Sequence, residues 1–177
     1  MRMDLEKSLK LGGAVTAGLA GIFGATTAGA WYRLFKRPLP QTKGELQVDG
    51  VDGEVEIRRD RWGVPHVRAS SDHDLWFGQG FCHGQDRLWQ LDVYRRVVSG
   101  RLSEIAGPDG LTLDRFMRTL GLHRIGAREA GELDPETRAI FDAHCAGVNA
   151  AAGAAKALPA EFQILRRDWE PWRPADL

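Results

Sequence analysis

Apolar positions fall into two rhythms along this chain. Leu46 and Val48, then Val55 and Ile57, alternate with polar neighbours, the period of two expected of half-buried strands. Asp49-Gly50 and Asp52-Gly53 between them are turn dipeptides that tolerate positive φ. Asp60-Arg61-Trp62-Gly63 predicts a second turn, and residues 64–69 resume as a strand. Pro65 lacks an N–H, so that strand is expected to begin there or to run along a sheet edge. After residue 70 the rhythm lengthens to that of a helix. Ser71 or Asp72 suits the N-cap, and Asp74 falls in the first turn, where the helix dipole favours negative charge. Leu88, Leu91, Tyr94 and Val98 form one stripe, widened by Trp89, Val93 and Val97. A face that broad predicts a largely buried helix, with Ser99-Gly100 as its stop. Gly78, Gly80 and Gly84 each weaken it by about 1 kcal/mol against Ala, so tertiary packing has to support it.

A second helix is expected from Asp134-Pro135-Glu136, which combines an N-cap, a proline at the first helical position and an early acid. Ile140, Phe141, His144, Cys145 and Val148 mark its apolar face; residues 150–157 form a weak tail ended by Leu158-Pro159. Trp169-Glu170-Pro171-Trp172 leads into a further helical turn with Pro174 at its start, and a sequence that opens an element in its last residues is expected to continue. At the other end, residues 11–32 carry no charge, with Arg2, Lys7 and Lys10 before them and Arg33, Lys36 and Arg37 after them. About twenty uncharged residues suffice to span a bilayer, although this run is mostly Gly, Ala and Thr. Ala28-Gly29-Ala30 has the small-x-small form of a signal cleavage site. Residues 1–32 are therefore expected to be a signal peptide or membrane anchor, touching the membrane through residues 11–32 if retained. Residues 33–43 are expected as a linker, extended over Arg37-Pro38-Leu39-Pro40-Gln41-Thr42, and 44–177 as the folded part. The protein is expected to be exported: periplasmic, extracellular or membrane-anchored.

Across 177 residues the formal net charge is zero. No basic stripe is present, so no nucleic-acid partner is expected. Cys82 and Cys145 fit no metal spacing and read as buried small hydrophobes; a disulfide would require the oxidising compartment that export supplies. Gln85-Asp86-Arg87 and Arg95-Arg96 lie inside the apolar helix, where an unpaired charge is costly. They form either an active-site wall or, the preferred reading, an ion-pair network holding helix to sheet. His66, Asp72, His73, Asp74, His83 and Asp86 invite a metal reading, but they match no zinc pattern. Ser70, Ser71, Ser99, Ser103, Thr112 and Thr119 all read as capping or loop residues. There is no G-x-S-x-G elbow, P-loop or dinucleotide fingerprint. Cys82 and His83 are helical neighbours whose side chains diverge. These residues supply scaffold without a reaction centre.

Several segments together resemble the penicillin acylase (penicillin amidase) family. They are Arg59-Asp60-x-Trp62-Gly63-Val64-Pro65-His66-Val67-x-Ala69, Asp74-Leu75-x-Phe77-Gly78-x-Gly80-Phe81 and Gln85-Asp86-Arg87-Leu88-Trp89-Gln90. Arg95-Arg96, Gly100-Arg101-Leu102-Ser103-Glu104, the run Arg118-Thr119-Leu120-Gly121-Leu122, Gly147-Val148-Asn149-Ala150, Pro159-x-Glu161-Phe162 and Trp169-Glu170-Pro171-Trp172 continue the likeness in order. The resemblance implies an α+β fold, here the N-terminal part of an αββα N-terminal nucleophile hydrolase, mostly helical after a short antiparallel strand unit. It implies hydrolysis of linear amides, such as β-lactam side chains or acyl-homoserine lactones. In such enzymes a precursor is cut autocatalytically, and a serine freed at the start of the second chain attacks, with its own α-amine as base. That chain would be the partner of these residues, and a small-molecule amide the substrate. The family's catalytic, substrate-binding and calcium-binding positions match nothing here. No catalytic, substrate or metal residue is thus assigned: no cofactor is expected within these residues, and calcium only in the full-length protein. The competing expectation is a non-catalytic, envelope-anchored binding or structural domain that reuses the scaffold.

Overall fold

A computed structural model of the chain describes residues 26–177. The greater part of the predicted leader, residues 1–25, lies outside the described residues. Residues 26–31 are helical and run into a π-helical turn, Tyr32–Lys36, after which residues 37–42 belong to no helix or strand. Among the described residues, no helix is long and apolar enough to cross a membrane.

Two short strands, β1 (Glu56–Arg59) and β2 (Pro65–Arg68), pair antiparallel, with Ile57 opposite Val67 and Arg59 opposite Pro65. Pro65 opens β2 as expected. The connecting turn closes on Asp60, whose carboxylate accepts from Trp62 N at 2.8 Å and Val64 N at 3.0 Å, while Gly63 supplies a φ of +80°. Residues 46–48, expected as a strand, form an irregular segment. Val48 and Val51 instead pack against Phe77 and Phe81. The reason lies in Asp74: its carboxylate accepts from Asp52 N and Gly53 N at 2.9 and 3.0 Å, tying this segment to a helix and leaving no strand beside it.

That helix, α1 (Asp72–Val98), starts at Ser71, whose Oγ accepts from Asp74 N. It kinks at Arg87, where φ is −135° and ψ 18°. Four helices follow: α2 (Ser103–Ala106), α3 (Leu111–Leu120), α4 (Leu122–Glu132) and α5 (Pro135–Ala154), and then α6 (Ala160–Leu165). A 3₁₀ turn, Pro174–Asp176, ends the described chain. Asp134 caps α5 through Glu136 N and Thr137 N, as its sequence predicts. Helices α2, α3, α4 and α6 were not among the sequence expectations, although Leu113, Phe116, Met117 and Leu120 of α3 stand at the i, i+3, i+4, i+7 spacing of a helix. Leu113, Phe116, Leu120 and Ile125 face outward, so α3 and α4 have no buried stripe that explains their apolar residues.

The core is the contact between α1 and α5. A Cβ placed on Gly80 would lie 2.0 Å from the His144 carbonyl oxygen, and one on Gly147 would lie 2.0 Å from the Phe77 oxygen. Glycine is therefore required on both sides of the crossing, which supplies the packing that the glycines of α1 need. Beyond the kink a second cluster gathers Leu88, Cys145, Val148, Phe162 and Trp172. Phe162 is fully enclosed, and burial of a side chain that size stabilises by about 2–3 kcal/mol.

Candidate functional site

In the second half of α1 the predicted apolar stripe is overturned. Its start holds, with Leu88 buried and Trp89 and Leu91 packed beside it, but Tyr94 and Val98 are exposed, and the buried positions that follow Leu88 are Asp92, Arg95 and Arg96. The reason is pairing. Asp92 accepts from Arg95 Nη2 at 2.8 Å and from Arg96 Nε at 2.6 Å. Arg96 also pairs with Glu104 and approaches Glu170 at 3.6 Å, while Arg101 holds both Glu170 oxygens at 2.9 and 3.0 Å. Burial alone would lower the Arg96 pKa, but the Asp92 hydrogen bond and the charges of Asp92, Glu104 and Glu170 raise it. Burial likewise pulls the Glu170 carboxyl upward, and Arg101, then Arg95 and Arg96, outweigh that pull and hold it low.

This network grips the Trp169-Glu170-Pro171-Trp172 segment. Arg95 Nη1 donates to the carbonyls of Glu170 and Pro171 at 2.9 and 3.2 Å. Its guanidinium lies 5.2 Å and 5.3 Å from the Trp169 and Trp172 ring centres, within cation–π reach. Asn149 completes the clamp: Oδ1 accepts from Trp169 Nε1 and Trp172 N, and Nδ2 donates to the Trp172 carbonyl at 2.9 Å. Arg95-Arg96 thus ties helix to C-terminal segment rather than helix to sheet. The helix-to-sheet tie does exist at the other predicted cluster. Arg59 of β1 forms a bidentate pair with Asp86 at 2.8 and 2.9 Å and donates to Gln85 Oε1 at 3.1 Å. Arg87 points away from both networks, bonding only to Gln90.

The six residues that invited a metal reading separate into different partnerships. His66 faces Asp60, His83 faces His144 at 3.1 Å, and Asp86 is held by Arg59. Asp72 lies exposed on the first turn of α1. Only His73 and Asp74 stay together, joined by Asp52, with ligand atoms within 4.8 Å of one another. Here the His73 Nδ1 sits 3.1 Å from Asp74 and 3.5 Å from Asp52. The Asp52 and Gly53 amides, together with His73 and Ser71, hold the Asp74 carboxyl below its usual range against the opposing effect of burial. Calcium takes about six to eight oxygen ligands. An imidazole and a carboxylate already bound by amide donors do not fit it.

Among the described residues no nucleophile is activated. Ser71 caps α1, Ser99 Oγ donates to the Arg95 carbonyl, and Thr119 Oγ1 donates to the Arg115 carbonyl. Ser103 meets Asp114 through its amide. Cys82 and Cys145 are buried and free. Burial raises the Cys82 thiol pKa and, with Asp142 and Asp176, pushes Cys145 up to about 12, the direction opposite to that of a reactive thiolate. Asp92 is the site residue that the sequence reading did not name, and its signal was the helical offset from Arg95 and Arg96, three and four residues apart; Glu104, Asn149 and Glu170 stood in the family-like segments without a role.

The geometry has known relatives. A family model described as penicillin amidase matches residues 54–177. The chain is 37% identical over 136 residues to the penicillin acylase 2 proenzyme of Pseudomonas sp., an alignment covering 77% of this chain and 18% of that protein. It is 32% identical over 164 residues to the acyl-homoserine lactone acylase QuiP of Pseudomonas putida, covering 92% of this chain and 20% of that protein. Among solved structures, the thermostable penicillin G acylase from Alcaligenes faecalis superposes with a TM-score of 0.62 at 31% identity, over 70% of this chain and 67% of that one. The chain therefore spans about a fifth of the length of the curated relatives it matches.

Proposed function

The chain belongs to the penicillin amidase family, with its α+β fold, and from that premise we propose that it is the scaffold of an exported amidohydrolase of linear N-acyl amides. The whole protein would cleave an amide C–N bond, releasing a carboxylic acid and an amine. The relatives' names divide between penicillin acylases and acyl-homoserine lactone acylases, so the substrate class proposed is an acyl amide, with the acyl chain left to the test. The nucleophile in this reading is a serine freed by precursor cleavage outside the 177 residues. An α-amine beside it, with a pKa near neutrality, takes the hydroxyl proton. Any calcium would be held outside these residues as well.

One observation carries the reading. The segments shared with the family are the ones that build the interior: the Gly80–Gly147 crossing, the Arg59–Asp86 tie and the Arg95–Asn149 clamp on the tryptophans. They hold helices and a strand pair in place and leave the chemistry to a partner chain. The test is expression of the complete reading frame. Cleavage into two chains, seen by mass spectrometry, together with acid release from phenylacetyl or long-chain acyl amides, is expected. An uncleaved, inert full-length product would instead favour a binding or structural role.

A further inference from the structure

One charged cluster takes no part in the scaffold, and it draws its members from two distant stretches of chain. The Tyr32–Lys36 turn packs against α6. This brings Arg33 and Arg37 together with Lys156, Arg166 and Arg167 around an open cleft of about 410 Å³, with Asp168 the one acid in its lining. Five cations against one acid is a strong local excess in a chain of zero net charge. Elsewhere several arginines are answered by carboxylates, Arg59 by Asp86, Arg96 by Asp92, Arg101 by Glu170 and Arg138 by Asp142, whereas Arg61, Arg87 and Arg124, scattered singly, meet an aromatic ring, an amide oxygen and a backbone carbonyl. Among the described residues Arg33, Arg37, Lys156 and Arg166 have no such partner, and Arg167 gives one donor to the Glu104 carbonyl.

The surroundings are apolar and exposed. Trp31, Tyr32 and Phe35 are 53%, 61% and 54% exposed, and Ile164 on α6 is 63% exposed. Lys36 Nζ lies 5.4 Å above the Trp31 ring. Arg166 is the only non-glycine at positive φ among the described residues. A glycine would sit more easily at that helix end, yet a long cation is kept there.

From this combination we propose that the face formed by residues 31–37 and 156–167 is a docking platform for an anionic phospholipid surface. Cations close to such a surface are attracted by its negative potential, each by a factor of about five. Tryptophan and tyrosine rings settle at headgroup depth, and the long arginine and lysine stems lie along apolar surface while their heads meet phosphate. Charge complementarity selects the partner: a neutral apolar partner would leave five cations unanswered, and a small anion would leave the exposed aromatics without a role. The platform begins at Trp31, so cleavage after Ala30 and retention of the leader both leave it whole. The inference does not depend on the amidohydrolase reading.

The test is partition of the full 177-residue chain onto vesicles of phosphatidylcholine alone or mixed with phosphatidylglycerol, followed by sedimentation. Anionic lipid is expected to strengthen binding, and high salt to remove that gain. Arg33→Gln/Arg37→Gln/Lys156→Gln/Arg166→Gln should lose nearly three orders of magnitude, about 600-fold, on the mixed vesicles. A control neutralising Arg58, Arg61 and Arg128, which lie elsewhere, should keep nearly all of the binding. Whatever leader contact exists is common to all three proteins. Equal binding of the parent chain to both vesicle types overturns the proposal, without reference to any variant. So does an equal loss in the control. Inorganic phosphate that displaces the protein from mixed vesicles at matched ionic strength would reassign the cleft to a free anion, and would likewise overturn it.

Discussion

The two halves of α1 are held in opposite ways. Before the kink at Arg87 the helix meets α5 through bare backbone, with Gly80 and Gly147 letting carbonyls approach where no side chain fits. After the kink the same helix buries Asp92, Arg95 and Arg96, and Arg95 grips the Trp169–Trp172 segment through hydrogen bonds to the Glu170 and Pro171 carbonyls and cation–π contact with both tryptophan rings. The first half depends on the absence of atoms, the second on the presence of matched charges. The difference teaches how each can fail. A close-packed crossing fails by steric excess, while a buried ionic clamp fails when one member loses its counter-charge.

The sharpest way to break the comparison is Asp92→Asn. It leaves two buried guanidinium groups without their shared anion, and removing one partner of a buried pair typically costs about 3–5 kcal/mol. Chemical denaturation should show that loss. A loss below about 1 kcal/mol, the range of exposed pairs, would mean that the second half is held by its tryptophans and not by charge. Next in size is Gly80→Ala. Its methyl group cannot be accommodated without moving α5, and overpacking of this kind costs about 1–3 kcal/mol. Gly153, in the last turn of α5 with nothing within 4 Å of an added Cβ, is the internal control. There the same substitution should stabilise by about 0.5–1 kcal/mol through the unfolded chain. Loss at both glycines would mean that the cost at Gly80 is not specific to the crossing, because helix propensity alone favours alanine at either position.

Legibility in the sequence followed the same division. Local chemistry was readable: the Ser71 and Asp134 caps, Pro65 at the start of β2, and glycines that demanded a partner. The strand expected at Leu46 and Val48 failed because a remote carboxylate, Asp74, captures the following amides. The stripe ending at Tyr94 and Val98 failed because hydrophobicity was taken to decide which face is buried, whereas Asp92 makes the charged face the inner one. Helix α3 was readable from the helical spacing of Leu113, Phe116, Met117 and Leu120 and was passed over, although its apolar residues Leu113, Phe116 and Leu120 lie exposed among the described residues. Of the candidate site, the Arg59–Asp86 tie was foreseen in kind. The Asn149 clamp was not, because it joins residues twenty and more positions apart.

The smallest of the three effects probes the boundary where the two halves of α1 share α5. His144 sits on the crossing, its backbone oxygen against Gly80 and its Nε2 3.1 Å from His83 Nδ1. Burial first, and the nearby His83 second, lower its pKa below 6.5. A depressed folded-state pKa means that the unfolded chain takes up the proton first. The stability associated with neutral His144 is therefore fully present above pH 6.5, and it is lost as pH falls from there toward the folded value. Urea midpoints measured at pH 7.5 and 5.5 should fall together with the protonation of this one group, while the clamp's Glu170, held low by Arg101, stays ionised. His144→Gln should flatten the slope across that window. An undiminished slope in the variant would show that acid acts on the charged half of α1 and not on the glycine crossing.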